Sequence, residues 1–350
     1  MIGQKSGRGE FFAIDRRTWS LICGTGEINE AVAYLVLAQG TGASNRMTRW
    51  SVTSLKKTAG ISWNRGQAAL RGLMEQGFVN HAEGSCPKKP KYELMSYAEI
   101  RRSHAQANAG NADRTEPPDT ADPIWLPNDI VTGTTRGEDS PIKRLRVAGD
   151  LWALRLLIDL YYEQNLRDDC GISPSVIRKI YERELVGEYA EFNLWAFHTK
   201  HLSLNKDSVF AAHTQRRQIA DHPEHQGFYG IDSLCRQGLL CFVPHLWERD
   251  PVKDAAEVIH AYGLSGCGEQ PEMEMGKAAH CAALKMIRKW NREYVANGLL
   301  APIRKTIPEV QMVGIGRLRY RPKTSRTSAW WNDLCAAAPR RIAEYNELCA

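Results

Sequence analysis

Residues 50–94 read WSVTSLKKTAGISWNRGQAALRGLMEQGFVNHAEGSCPKKPKYEL, from Trp50 to Leu94. Leu55, Ala59, Ile61, Ala69, Leu70, Leu73 and Met74 recur at spacings that put them on the inward faces of two successive helices. Ala59-Gly60-Ile61 makes the turn between them, and Ser51 and Ser62 are placed to cap their N-termini. Gly77 stands where a left-handed residue ends the second helix. Phe78-Val79 then opens a strand that returns through Lys91–Leu94, with Lys88-Lys89-Pro90-Lys91 at the tip. The expectation is a helix, a tight turn, a second helix and a basic β-hairpin.

The residues left facing outward on the second helix are Trp63, Asn64, Arg65, Gln67, Ala68 and Arg71. Together with the hairpin, they give a stretch that resembles the winged helix-turn-helix superfamily, over roughly the first quarter of the chain. The resemblance implies that the second helix enters the DNA major groove while the wing lies along the backbone. Trp63, Asn64, Arg65, Gln67 and Arg71 would then read bases, because Arg matches guanine O6 and N7 and Asn or Gln matches adenine N6 and N7. Arg46, Arg49, Lys56, Lys57, Lys88, Lys89 and Lys91 would hold phosphates. Gly66 occupies a position where related helices carry a branched apolar residue, so a neighbouring element is expected to come unusually close.

Charge is distributed in keeping with that reading. Of 46 Lys+Arg and 40 Asp+Glu in 350 residues, residues 1–95 hold 13 and 7, an excess of +6, and the remaining 33 and 33 cancel. Residues 300–326 hold 7 basic and 1 acidic, again +6, so 96–299 are acidic. Clustered cations favour a polyanion such as nucleic acid. The apolar run Ala31–Ala38 is too short to span a bilayer, and the opening MIGQKSGRGE lacks the apolar core of a signal peptide. The 9 cysteines follow no framework spacing. A soluble cytoplasmic protein in a reducing compartment, with no membrane partner, is expected.

Elsewhere, Phe11–Ile14 suits a short strand or docking segment and Glu27–Gln39 an amphipathic helix. His104–Gly137 reads as a linker whose apolar island, Ile124–Pro127, could dock as a strand on the domain that follows. Asp150–Asn165 is an amphipathic helix, leading through Gly171-Ile172-Ser173 to a helix at Val176–Glu184. That triplet pairs with Gly60-Ile61-Ser62, and Leu73–Val79 has a counterpart in Leu234–Leu240 and a looser one in Tyr294–Leu300, which suggests a repeated unit. A long insertion, roughly 186–229, interrupts the second copy. Glu272–Asn297 reads as a long helix, and Leu299–Ile303 with Val310–Tyr320 as a basic hairpin carrying Arg317, Arg319 and Arg321 on one face. With Lys323 these form a candidate second basic surface. Trp330, Trp331, Leu334, Ile342, Tyr345 and Leu348 belong to a terminal helical region suited to packing or to a dimer surface.

The expected fold is mainly α with small β-wings, an α+β chain of tandem winged helix-turn-helix domains. Its parts are a DNA-binding domain at 1–100, a flexible linker at 101–141, an expanded winged-helix-like domain at 142–265, and a C-terminal unit at 266–350. The last is a third winged-helix-like or dimerisation unit. His198, His201, His222, His225 and the Cys/His residues between Cys235 and Cys281 lack paired metal-knuckle spacing, so no metal and no cofactor is expected. Tyr161-Tyr162 lie on an apolar helix and are assigned to the core, and no nucleophile with its base is visible. The functional expectation is a non-enzymatic, sequence-preferring binder of double-stranded DNA, a bacterial, plasmid or phage transcriptional regulator. Tandem winged helices also resemble plasmid replication initiators. A structural subunit of a nucleoprotein defence or mobile-element complex, working as a homodimer or in a protein assembly, is the third reading.

Overall fold

The computed structural model describes residues 10–107, 120–134, 137–204, 229–253, 256–287 and 298–348. The chain divides into two compact units, one running to Tyr162 and including Tyr320–Lys323, the other comprising Glu163–Arg319 and the residues from Thr324.

The first unit contains β1 (Phe11–Asp15), α1 (Arg16–Gly24), α2 (Ile28–Gln39), β2 (Met47–Thr48), α3 (Val52–Ala59), α4 (Trp63–Glu75), β3 (Val79–His81), β4 (Tyr92–Leu94) and α5 (Tyr97–Ala107). It continues with β5 (Pro123–Pro127), α6 (Asp129–Thr132), α7 (Pro141–Val147) and α8 (Leu151–Tyr162). Asp15 caps α1 by accepting from the Arg17 and Thr18 amides at 2.9 and 3.2 Å. Every residue from Ala31 to Ala38 is buried, so α2 is apolar all round and forms the centre about which the unit packs. At Gly72 an added Cβ would lie 1.9 Å from Glu30 Oε1, which fixes how closely α4 crosses α2. The three short strands form one antiparallel sheet in the order β2-β4-β3.

The segment after α5 differs from its expectation. Strand β5 pairs antiparallel with β1, from Phe11 opposite Pro127 to Asp15 opposite Pro123. The apolar island thus docks on the unit that precedes it, and α6, α7 and α8 belong there too, so the division falls after Tyr162 where a boundary near 142 was expected. The expected linker residues 108–119 lie outside the described residues.

The second unit contains β6 (Gln164–Asn165), β7 (Gly171–Ile172), β8 (Ile177–Tyr189), β9 (Phe192–Leu204), α9 (Tyr229–Arg236), β10 (Leu240–Trp247), β11 (Val258–Ala261), α10 (Gln270–Met286), β12 (Leu299–Arg304), β13 (Gln311–Leu318) and α11 (Ser325–Glu347). Six strands form an antiparallel sheet in the order β11-β10-β13-β8-β9-β12, so β13 joins the β10-β11 hairpin to the β8-β9 hairpin. Helix α10 lays Ala279 and Ala282 against Leu246, Ala301, Ile303 and Met312 of the sheet, where small side chains permit close approach. Helix α11 continues through Pro339 and packs Leu334, Ala338 and Ile342 against Met275 of α10 and Ala261 of β11.

This overturns the expected mainly α, tandem winged-helix class: the protein is α+β, 43% helix and 27% strand, with a curled six-stranded antiparallel half-barrel. Gly171-Ile172-Ser173 is not a helix-turn-helix turn, since Gly171-Ile172 is strand β7, paired antiparallel with β6, and the expected helix Val176–Glu184 is the first half of β8. The expected hairpin at 299–320 is not formed, because β12 pairs with β9 and β13 lies between β10 and β8. Much of the expected insertion, residues 205–228, and the helical continuation at 288–297 lie outside the described residues. Among the described residues, no helix is long and apolar enough to cross a membrane.

Candidate nucleic-acid interface

Helix α3 ends at Gly60, whose φ of 65° lets the chain reverse at once into Ile61. Ile61 is fully buried and anchors the turn between α3 and α4. Gly66 on α4 faces Val52 Cγ1 at 3.0 Å from the position of a Cβ, so the close neighbour is α3 itself. At the far end, Gly77 has φ 74° and the Phe78 amide donates to Leu73 O at 2.9 Å, which turns α4 into β3. The hairpin tip is held by the Lys91 amide donating to Ser85 Oγ at 3.0 Å and by a bridge between Cys86 and Lys89.

Trp63, Asn64, Arg65, Gln67 and Arg71 all lie on the exposed face of α4, and Trp63 is 51% exposed. A groove of about 740 Å³ runs between that face and the hairpin, lined among others by Trp63, Gln67, Arg71, His81 and Lys88. Arg49, Lys56, Lys57, Lys88 and Lys89 are exposed, and Lys91 is half-buried. Arg46 differs from the other expected phosphate ligands, since Nη2 donates to Glu93 at 2.8 Å and to Glu99 at 3.0 Å. These bonds, that to Glu99 first, raise its already high pKa. Binding a phosphate there would require the two carboxylates to be displaced.

Helix α7 contributes residues that sequence reading did not single out. Arg146 Nε donates to Ala59 O at 2.9 Å and Nη2 to Gly60 O at 3.3 Å, closing the C-terminal end of α3 over the turn. Burial, and then the neighbouring Arg65 charge, lower the Arg146 pKa. Lys143 lies against the same turn and pairs with Asp139. Arg146 is 87 residues from its acceptor, beyond the reach of any local pattern.

The second basic surface does not form as expected. Arg317 is buried in the second unit, where Nη1 donates to Glu272 Oε2 at 2.5 Å. Alternation set the arginines on one side of β13, but Arg317 faces the acid of α10 beneath the sheet. Arg319 is exposed at the end of that strand, while Arg321 and Lys323 fall in the stretch that belongs to the first unit, with Lys323 Nζ 3.5 Å from Glu10. Tyr161 is buried and donates to Tyr320 O at 2.6 Å. Among the described residues no group of His, Cys, Asp and Glu is arranged to hold a metal. Comparison with models of protein families, with curated proteins and with solved structures gave no match to this chain.

Proposed function

We propose that the first unit binds double-stranded DNA with a sequence preference, inserting α4 into the major groove and laying the 79–94 hairpin along the backbone. The observation that carries this reading is the face of α4. Asn64, Arg65, Gln67 and Arg71 are all exposed along it, and Gln67 and Arg71 face Lys88 of the hairpin across one groove. The order of helices and the β2-β4-β3 sheet support the resemblance to winged helix-turn-helix domains. Bases would be read by Arg65, Arg71, Asn64 and Gln67, with Trp63 at the helix start, and phosphates held by Arg49, Lys56, Lys57, Lys88, Lys89 and Lys91.

Of the roles compatible with such binding, transcriptional regulation fits best. A replication initiator would be favoured by two winged helices on repeated sites, and the second unit is instead a curled sheet. Selection of bound sequences from a random duplex pool tests both levels. A recurrent motif supports the reading, with a palindrome favouring a dimeric regulator and direct repeats favouring an initiator. Enrichment of no motif contradicts it.

A further inference from the structure

In the second unit, an open cavity of about 580 Å³ is lined by residues 167–169, strand β11, the first turns of α10 and one face of α11. Its size suits a small organic ligand. One wall is apolar, formed by Ile259, Met275, Leu334 and Ala337, and the other carries Asp168, Asp169 and Glu272.

The charges around it do not balance. Arg167 is matched by Asp333 at 2.6 Å and Arg341 by Glu344 at 2.9 Å. Glu272 is only 1% exposed; Oε2 takes both Arg317 Nη1 at 2.5 Å and the Glu269 amide at 2.7 Å. Its other oxygen, Oε1, is buried with no hydrogen-bond partner among the described residues. Asp168 accepts from Asn165 Nδ2 at 2.7 Å and Asp169 from the Gly171 amide at 3.0 Å, but among the described residues no ion pair forms at either. The histidines add no positive charge. His245 Nδ1 donates to Val243 O at 2.8 Å and leaves Nε2 to accept from Arg317, while His260 Nδ1 donates to Ala261 O and Nε2 accepts from Tyr345. Burial pushes Asp169 up to about 6, a sign that its ionised form lacks compensation. Gly171 holds this loop against the sheet, since an added Cβ would lie 2.5 Å from Ile315.

We propose that the cavity binds a small organic cation, an ammonium or guanidinium on an apolar body, whose N–H groups donate to Glu272 Oε1 and Asp169. The apolar wall takes the body and Asp168 and Asp169 take the charge, while Glu272, already neutralised by Arg317, adds only the open acceptor Oε1. A metal ion fits less well, because the described residues offer no ligand set and half the wall is hydrocarbon. This inference does not depend on DNA binding.

Isothermal titration calorimetry of the full chain tests it, with benzylamine, tyramine, agmatine and spermidine as probes, benzyl alcohol as the uncharged control and magnesium chloride as the competing ion. At least one cation should bind with one-to-one stoichiometry, benzyl alcohol should not, and magnesium should not displace it. Asp169→Asn keeps the acceptor for Gly171 and should weaken binding about tenfold or more, the loss expected for one charge-assisted hydrogen bond. Asp168→Asn, at an exposed position, should weaken binding in the same direction without risk to folding. The proposal is overturned if none of the four cations saturates a site, if both variants bind as the parent does, or if magnesium displaces the amine.

Discussion

Replacing Arg317 by Met separates a buried structural role from the surface role that alternation in the sequence suggested. The Arg317 and Glu272 side chains are 4% and 1% exposed and 2.5 Å apart. The guanidinium also lies 5.0 Å from the Trp330 ring centroid and donates to His245. Removing it strands a buried carboxylate, for which broken buried pairs suggest a cost of about 3–5 kcal/mol. Protonation sets a ceiling: neutralising a carboxyl of ordinary pKa at pH 7 costs about 4 kcal/mol, and at pH 5 only about 1 kcal/mol. The sign follows from the Glu272 pKa, which Arg317 lowers against the opposing effect of burial. The pair therefore contributes stability above the ordinary carboxylate range and loses it as the pH falls through the depressed value. Hydrogen exchange of the β10 and β13 amides in urea reports on this sheet without assuming that both units unfold together. Arg317→Met should cost about 3–4 kcal/mol at pH 7 and much less at pH 5, while Arg317→Met combined with Glu272→Met should recover most of the loss. A cost below about 1 kcal/mol at pH 7 for the single variant, or a loss of DNA affinity without loss of stability, would refute the buried-pair account.

Two further outcomes follow from the same unit. Burial lowers His245 and His260 from 6.5 to about 4, so each contributes stability that is complete above pH 6.5 and is lost as the pH falls toward 4. The loss is about 3 kcal/mol per histidine; the urea midpoint should drop steeply over that interval, and a flat profile would contradict it. Gly276→Ala would bring a Cβ to 2.8 Å from Gly263 O and 2.9 Å from the Tyr262 ring, so the gain of up to about 1 kcal/mol in helix propensity should be outweighed by about 1–3 kcal/mol of overpacking. Thermal denaturation should show a lower midpoint, and an increase would contradict this packing.

The parts of the fold that were legible in the sequence are those fixed by neighbours in the chain. Ser51, Gly60 and Gly77 act within a few residues, and the two helices and the hairpin lie where they are expected, although Ser62 stands at the start of α4 without a side-chain capping hydrogen bond. The apparent repeat shows the limit of such signals. Gly238 has φ 63° and the Leu239 amide donates to Leu234 O at 2.9 Å, the same local ending as Gly77 and Phe78. The two helix endings match locally, yet the strand that follows Gly238 joins a six-stranded sheet in place of a wing. Strand β8, IRKIYERELVGEY, is rich in good helix formers and spaces Ile177 and Tyr181 four apart. Only its pairing with β9 and β13 makes it a strand, which is tertiary context overriding propensity. Arg317 with Glu272 and Arg146 with Ala59 are likewise contacts between distant residues, and neither leaves a local trace.

The central claim, that α4 and the hairpin form a DNA-reading surface, is tested most directly by the affinity of the full chain for a selected duplex. Fluorescence anisotropy across a salt series would compare the parent with Arg65→Ala and Arg71→Ala. Six phosphate contacts would give a log–log salt slope of about −5. Each substitution should cost about 1–3 kcal/mol on the selected sequence and much less on unrelated DNA. Unchanged affinity and preference in both variants, or negligible binding of any duplex even at low salt, would contradict it.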